Sequence, residues 1–306
     1  GALRNGCLRQ CGHCIPCIYG GVPHCKNSLR YFCIYNSFRG FSYYIEDNKL
    51  DCCPHCKQIV SYDFKDFSKV EPIKRDILSL YRNDIQKYAD NQETKVVAIF
   101  DEIPGQLQKH EKKFRLSVFG ESARMRDYSN AFFWLSDAKI INCCYNSTEP
   151  SIGLKLNEER TTLKCYMGDT GLLISHAFDE RGIVTEEIYQ KLKFGKLEVN
   201  EGMLIENIVA QMLKAAEHKL YFFSKNSEVK EDRMEIDFLI AKSTITSRHN
   251  ISPIEVKSGS KYTLSSLRKC IEKYGRQITT PYVIHDKDLK EEDGITYIPF
   301  YMTPLL

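Results

Sequence analysis

The sequence predicts an α/β protein in which helical segments precede a mixed sheet with flanking helices. Three observations predict it. Apolar residues recur at helical spacing within residues 71–88 and 125–135. From about Gly182 onward helical and strand patterns alternate, as a mixed sheet requires. Two of those strands, finally, carry charged residues out of phase with their apolar ones, the mark of a sheet with one functional face.

At 306 residues the chain exceeds one typical core and suits several small domains. The expected divisions are a cysteine-rich segment over 1–68, a helical linker over 69–110, a winged-helix module over 111–180 and the α/β domain over 181–306. Composition is ordinary for a globular protein, with 42% hydrophobic and 27% charged residues, and a formal charge of +3 does not by itself point to nucleic acid. Apolar runs such as Val96–Phe100 fall far short of the roughly 20 residues that span a bilayer, and no charged-then-apolar leader is seen. The expectation is a cytoplasmic protein with no membrane partner, and an opening Gly1 in place of methionine suggests a fragment.

Nine of the thirteen cysteines lie between Cys7 and Cys56, and in a reducing compartment such clustering suggests metal more than disulfides. Cys11-Gly-His-Cys14 and Cys53-Pro-His-Cys56 have the spacing by which tight turns bring thiolates onto zinc at about 2.3 Å, so Cys11, Cys14, Cys53 and Cys56 could close one Zn site. Cys7, Cys17, Cys25, Cys33 and Cys52 have no clear partner there, and periodicity is poor throughout. A shifted reading frame or chimeric assembly is the competing explanation.

From Glu71 the pattern becomes helical: Ile73, Ile77, Leu78, Leu80 and Tyr81 recur through Tyr88, and a second helix covers about Lys95 to Lys109. Between Phe114 and Phe178 the order reads helix, helix, strand, turn, strand. Met125, Tyr128, Phe132 and Leu135 share one helical face, and strands follow at Ile140–Tyr145 and Leu163–Met167. Two helices before a hairpin outline a winged helix, whose Lys112, Lys113, Arg115, Arg124 and Arg126 could meet DNA phosphates or, alternatively, form a protein docking surface. Trp134 is expected in this module's core, and Asp169 is expected to cap a turn or a helix start.

The remainder contains a helix at Met203–His218, strands at Leu220–Ser224, Met234–Ala241 and Ile251–Lys257, a helix at Leu264–Tyr274, and strands at Pro281–His285 and Gly294–Ile298. Alternation places Met234, Ile236, Phe238 and Ile240 on one face with Asp237 on the other, and pairs Glu255 with Lys257. Glu206 borders the apolar stripe of the first helix, with Asn207 nearly opposite, and could reach the same site. Carboxylates from Asp237, Glu255 and Glu206 suit Mg or Mn, which activates water and neutralises phosphate charge, while Lys257 stabilises developing charge. This is phosphodiester hydrolysis chemistry, with structural ion pairing as the alternative.

The order acid on a helix, Asp on a strand, then Glu-x-Lys on the next strand resembles the PD-(D/E)XK, or restriction-endonuclease-like, superfamily. More widely, Lys74-Arg75-Asp76-Ile77, Tyr81-Arg82-Asn83-Asp84-Ile85, Tyr166-Met167-Gly168-Asp169-Thr170-Gly171-Leu172-Leu173, Ile205-Glu206-Asn207, Glu235-Ile236-Asp237-Phe238-Leu239-Ile240 and Ile254-Glu255-Val256-Lys257 resemble the C-terminal half of a prokaryotic AAA-type ATP-binding family. The resemblance covers residues 70–306 and implies a winged helix followed by a nuclease-like domain, with an ATPase core or another protein as partner. Residues 1–68 stand where that family carries the tail of its ATPase core.

No Gly-x-x-x-x-Gly-Lys-Ser/Thr phosphate loop occurs in the sequence, so no nucleotide cofactor is expected. Val96–Phe100 followed by Asp101-Glu102 imitates an acidic ATPase motif but falls where the resembled family is helical. The functional expectation is a metal-dependent nuclease-like domain acting on DNA. A non-catalytic DNA- or protein-binding module is the alternative, and an intact zinc-ribbon protein is a third reading that depends on residues 1–68.

Overall fold

The computed structural model of the chain describes residues 67–178, 201–241 and 250–306, apart from residues 152, 230, 260 and 261. Cys11, Cys14, Cys53 and Cys56 lie outside the described residues. The described chain is α/β and divides into two compact units: residues 67–142 with 166–178, and residues 143–165 with 201–306.

The first unit is helical. Helix α1 (Phe67–Tyr88) buries Ile73, Leu78, Tyr81 and Ile85, and helix α2 (Glu93–Gln108) buries Val96, Ile99, Phe100, Ile103 and Leu107. In α2 the spacing of three and four residues stacks those side chains on a single stripe. Asp90 and Asn91 make the turn between these helices with positive φ, a conformation Asp and Asn tolerate better than most residues. Val96–Phe100 is therefore helical, with Asp101 paired to Arg82 at 2.6 Å.

Helix α3 (Met125–Asp137) buries Ala131, Phe132 and Leu135. The segment before it, expected as a helix, is a 3-10 turn over Leu116–Phe119, pinned by Phe114 against Phe132 and Phe119 against Tyr128. Trp134 is half-buried and donates its indole N–H to the Tyr88 carbonyl at 3.1 Å. Helix α4 (Thr170–Ala177) starts at Asp169, whose carboxylate accepts the Leu172 N–H at 2.8 Å, satisfying a donor that the first turn leaves open. His176, on α4, stacks on Phe100 at a ring separation of 4.5 Å.

The second unit is built on a sheet. Its strands are β1 (Ile141–Ser147), β2 (Glu158–Met167), β3 (Tyr221–Lys225), β4 (Met234–Ala241), β5 (Ile251–Val256), β6 (Tyr282–His285), β7 (Lys290–Glu292) and β8 (Ile295–Pro299). Among the described residues they form one mixed sheet in the order β2-β1-β3-β4-β5-β6-β8-β7. The two strands expected to form a wing are thus members of this sheet. β1 runs parallel to β3, and Asn146 reinforces the pairing by accepting the Ser224 N–H at 3.0 Å while donating to Glu159 at 2.7 Å.

β4 is antiparallel to both β3 and β5, while β5, β6 and β8 are parallel. β5 is buried from Ile251 to Glu255, as a central strand covered on both faces must be. β7 joins β8 through Asp293 and Gly294, both at positive φ, a turn chemistry suited to a tight hairpin. Helix α5 (Glu201–Ala215) packs on β5, and helix α6 (Ser265–Tyr274) packs on β4 and β5.

The alternation expected along β4 is interrupted. Tyr221 pairs with Leu239 but Phe223 with Ile236, so two residues of β4, Asp237 and Phe238, oppose the single Phe222 of β3. The consequence appears in the packing: Met234, Ile236 and Leu239 enter one core cluster with Leu267 and Cys270 of α6, whereas strict alternation would have sent Phe238 and Ile240 there. An extra residue of this kind re-aims side chains and is common beside functional sites. No described helix is long and apolar enough to cross a membrane.

Candidate functional site

The expected site residues converge around β4 and β5. Asp237, at the irregularity in β4, accepts the backbone N–H of Val256 at 2.9 Å. Val256 is the residue between Glu255 and Lys257, so the Asp237 carboxylate is held against the Glu-x-Lys segment. Lys257 Nζ lies 2.5 Å from Glu255 Oε2. Asp237 lies beside the bulge between β3 and β4, and the β4–β5 pairing is regular from Phe238 onward.

Glu206 arrives from α5. That helix buries Leu204, Ile205, Ile208, Val209, Met212 and Leu213, and Asn207 and Glu206 are buried too. A helix enclosed on nearly every side has no solvated face to receive its polar residues, which is why Asn207 is inside where the stripe had placed it outward.

The residue that gathers these acids is one that helix and strand periodicity do not single out. Lys164, on β2, is 1% exposed, and its Nζ lies 3.0 Å from Glu235, 3.4 Å from Glu206 and 3.7 Å from Asp237. The ring of Phe222 closes the cage, 5.1 Å from the ammonium. Glu206 therefore meets Asp237 through Lys164. A buried charge is tolerated only when it is paired, and breaking such a pair costs about 3–5 kcal/mol.

Burial opposes the charged form of Lys164 most strongly, yet the carboxylates of Glu206, Glu235 and Asp237 together hold its pKa well above the usual lysine value. Lys257 is likewise raised, against the cost of burial, by Glu255 and Asp237. For Glu255, burial first and the Asp237 charge second push the carboxyl up to about 8, against the pull of Lys257. Four acidic side chains thus gather around two ammonium groups, and metal-free the shortfall of cations is met at Glu255 by a retained proton.

An all-oxygen donor set with that shortfall fits a hard divalent cation. Mg²⁺ is commonly held by one or two carboxylates, with water and phosphate completing its shell. Asp237 and Glu255 can supply those two. No cluster of three or more His, Cys, Asp or Glu side chains with metal-binding geometry occurs among the described residues.

The basic residues expected to face DNA from the first unit are engaged locally. Lys113 lies 3.2 Å from Glu111, which also pairs with Arg115; Arg124 donates to the carbonyls of Glu121 and Ala123; and Arg126 lies 3.6 Å from Asp127. Arg115 and Arg126 are exposed, and surface pairs of this kind are weak.

Two family models match the chain, both described as domains of unknown function: DUF8612 over residues 60–181 and DUF4143 over residues 201–302. No curated protein and no solved structure matches it. The site draws on both matched regions, Lys164 from the first and Glu206, Glu235, Asp237, Glu255 and Lys257 from the second.

Proposed function

We propose that the second unit is a PD-(D/E)XK-like domain that acts on the phosphodiester backbone of DNA, with Mg²⁺ or Mn²⁺ held by Asp237 and Glu255. The supporting observation is the Asp237 carboxylate fixed by Val256 N–H against a buried Glu255, two acids whose mutual repulsion calls for a cation. When bound, the metal supplies charge neutralisation at phosphate and an acidified water. Lys257, with 21% of its side chain exposed, donates to a phosphate oxygen. Glu206 contributes through its pairing with Lys164.

We place this domain in the C-terminal portion of an AAA-type ATP-binding protein. The order of its motifs supports that placement, and nucleotide handling then falls to an ATPase core. The helical first unit, with Arg115 and Arg126 exposed, serves as a contact surface for DNA or for that core.

One observation favours a second reading. The Lys164 ammonium already neutralises part of the carboxylate cluster, as suits a non-catalytic module that binds DNA or protein on the same fold. Calorimetric titration with Mg²⁺ and Mn²⁺, alongside cleavage of plasmid DNA, separates the two. Metal binding and cleavage by the wild type, both lost in Asp237→Asn and Glu255→Gln, support the nuclease. DNA retention in a gel shift with neither metal binding nor cleavage supports the binding module.

A further inference from the structure

Lys164 occupies a position that bears on how many metal ions the site accepts. Its Nζ is 3.7 Å from Asp237, 3.4 Å from Glu206 and 3.0 Å from Glu235, so three carboxylates from α5 and β4 converge on one point. In two-metal phosphodiesterase sites the ions sit about 3.5–4 Å apart and share a carboxylate. Asp237 is placed to be such a shared ligand: Oδ2 is held at β5 by Val256 N–H, while Oδ1 faces Lys164. The second corner of that arrangement is filled by an ammonium on the protein's own chain.

We propose that Lys164 is a resident cation standing where a second divalent ion would bind between Glu206, Glu235 and Asp237, so that the site takes a single metal ion. Lys164 is a positioning residue. It holds Glu206 and the outer oxygen of Asp237, while the metal is placed at the β5-side oxygen of Asp237 and at Glu255. Because an ammonium is a fixed monovalent charge tethered to β2, it cannot be stripped by chelators, and it aims Asp237 before any metal arrives. The proposal rests on the metal-binding reading above for the one ion at Asp237 and Glu255, whereas occupancy of the Lys164 corner is a separate quantity.

The test counts Mn²⁺ per chain by titration calorimetry and electron paramagnetic resonance on the full chain, for the wild type, Lys164→Gln and Lys164→Arg. The expected result is one Mn²⁺ in the wild type, one in Lys164→Arg, and two in Lys164→Gln with the spin coupling of a close ion pair. Cleavage in Lys164→Gln then acquires a second-order dependence on Mn²⁺ concentration. A wild type that binds no Mn²⁺ would overturn the nuclease reading and with it the single-ion count, and a Lys164→Gln variant that then gains an ion would still support Lys164 as the occupant of that corner. Equal counts in the wild type and Lys164→Gln overturn the inference.

Should Lys164→Gln fail to fold, lysine ammonium resonances of the wild type decide. A caged Lys164 gives a proton-coupled ¹⁵Nζ signal protected from water, and the signal persists when Mg²⁺ is added. A signal that exchanges freely, or disappears as the metal displaces the side chain, refutes the proposal.

Discussion

Glu255 is the residue through which acidity reaches the stability of the fold. Its carboxyl is raised from an ordinary value of 4.5 to about 8 by burial and by Asp237, so the folded state holds a proton that the unfolded chain releases. A raised pKa contributes stability that is fully present below the unfolded value and is lost as pH climbs through the folded one. Without metal, Glu255 is therefore expected to pull the urea midpoint down between about pH 4.5 and 8, a contribution read as the difference between the wild type and Glu255→Gln because His218 and His285, whose pKa values burial lowers, act with the opposite sign. Glu255→Gln, which fixes the neutral form, flattens that fall, and saturating Mg²⁺ opposes it by favouring the carboxylate. Lys257 adds no slope in this window because its raised pKa is lost only above the lysine range. Of these residues, Asp237, Glu255 and Lys257 could be found from strand periodicity and Glu206 from its helix. Lys164 could not. One lysine within the buried run Leu163–Met167 hints at a paired interior charge, but its partners lie on α5 and β4, forty or more positions away, and no local pattern names them.

At the scale of elements, periodicity located most helices and strands because their buried stripes are sharp. The exceptions have physical causes. The three-residue strand β7 consists of Lys290, Glu291 and Glu292, all exposed, so it carries no apolar alternation; its one signal is the Asp293-Gly294 turn. The bulge in β4 is invisible to alternation because it is created by pairing with β3. The 3-10 turn at Leu116–Phe119 is too short for a helical period to define. Gly168 shows how one position governs a junction. A Cβ there would lie 2.5 Å from the Lys139 carbonyl oxygen and 2.9 Å from that of Ile140, whose carbonyl accepts the Gly168 N–H at 2.7 Å. Backbone cannot yield as a flexible side chain does, so Gly168→Ala is expected to destabilise the first unit by about 1–3 kcal/mol. Thermal unfolding followed by circular dichroism would show it, and an unchanged midpoint would refute the packing described for that junction.

For the whole molecule, the sequence division at residue 181 and the structural one differ, because residues 143–165 supply two strands and Lys164 to the sheet of the second unit. Residues 201–306 alone would leave Glu206 and Asp237 without that ammonium and β3 without its β1 partner. Loss of one member of a buried charge cluster costs about 3–5 kcal/mol, a large part of the stability of a small domain. The isolated 201–306 segment is accordingly expected to be insoluble or unfolded, whereas a chain beginning near residue 67 folds; a soluble 201–306 fragment with a cooperative denaturation curve would contradict this.

Among the described residues, the two borders of the sheet bear on behaviour in a crowded solution. On one side β7 presents Lys290, Glu291 and Glu292; on the other the outer half of β2 presents an exposed Arg160 paired at 2.8 Å to the half-buried Glu158. Open strand borders are templates for a neighbour's backbone, and charge along them is a common deterrent. A second chain that tried to extend this sheet would have to strip water from paired ions at either border before gaining its first backbone hydrogen bond. Fibrous self-association is thereby opposed by β7 and the outer half of β2, charged segments that stay outside the core.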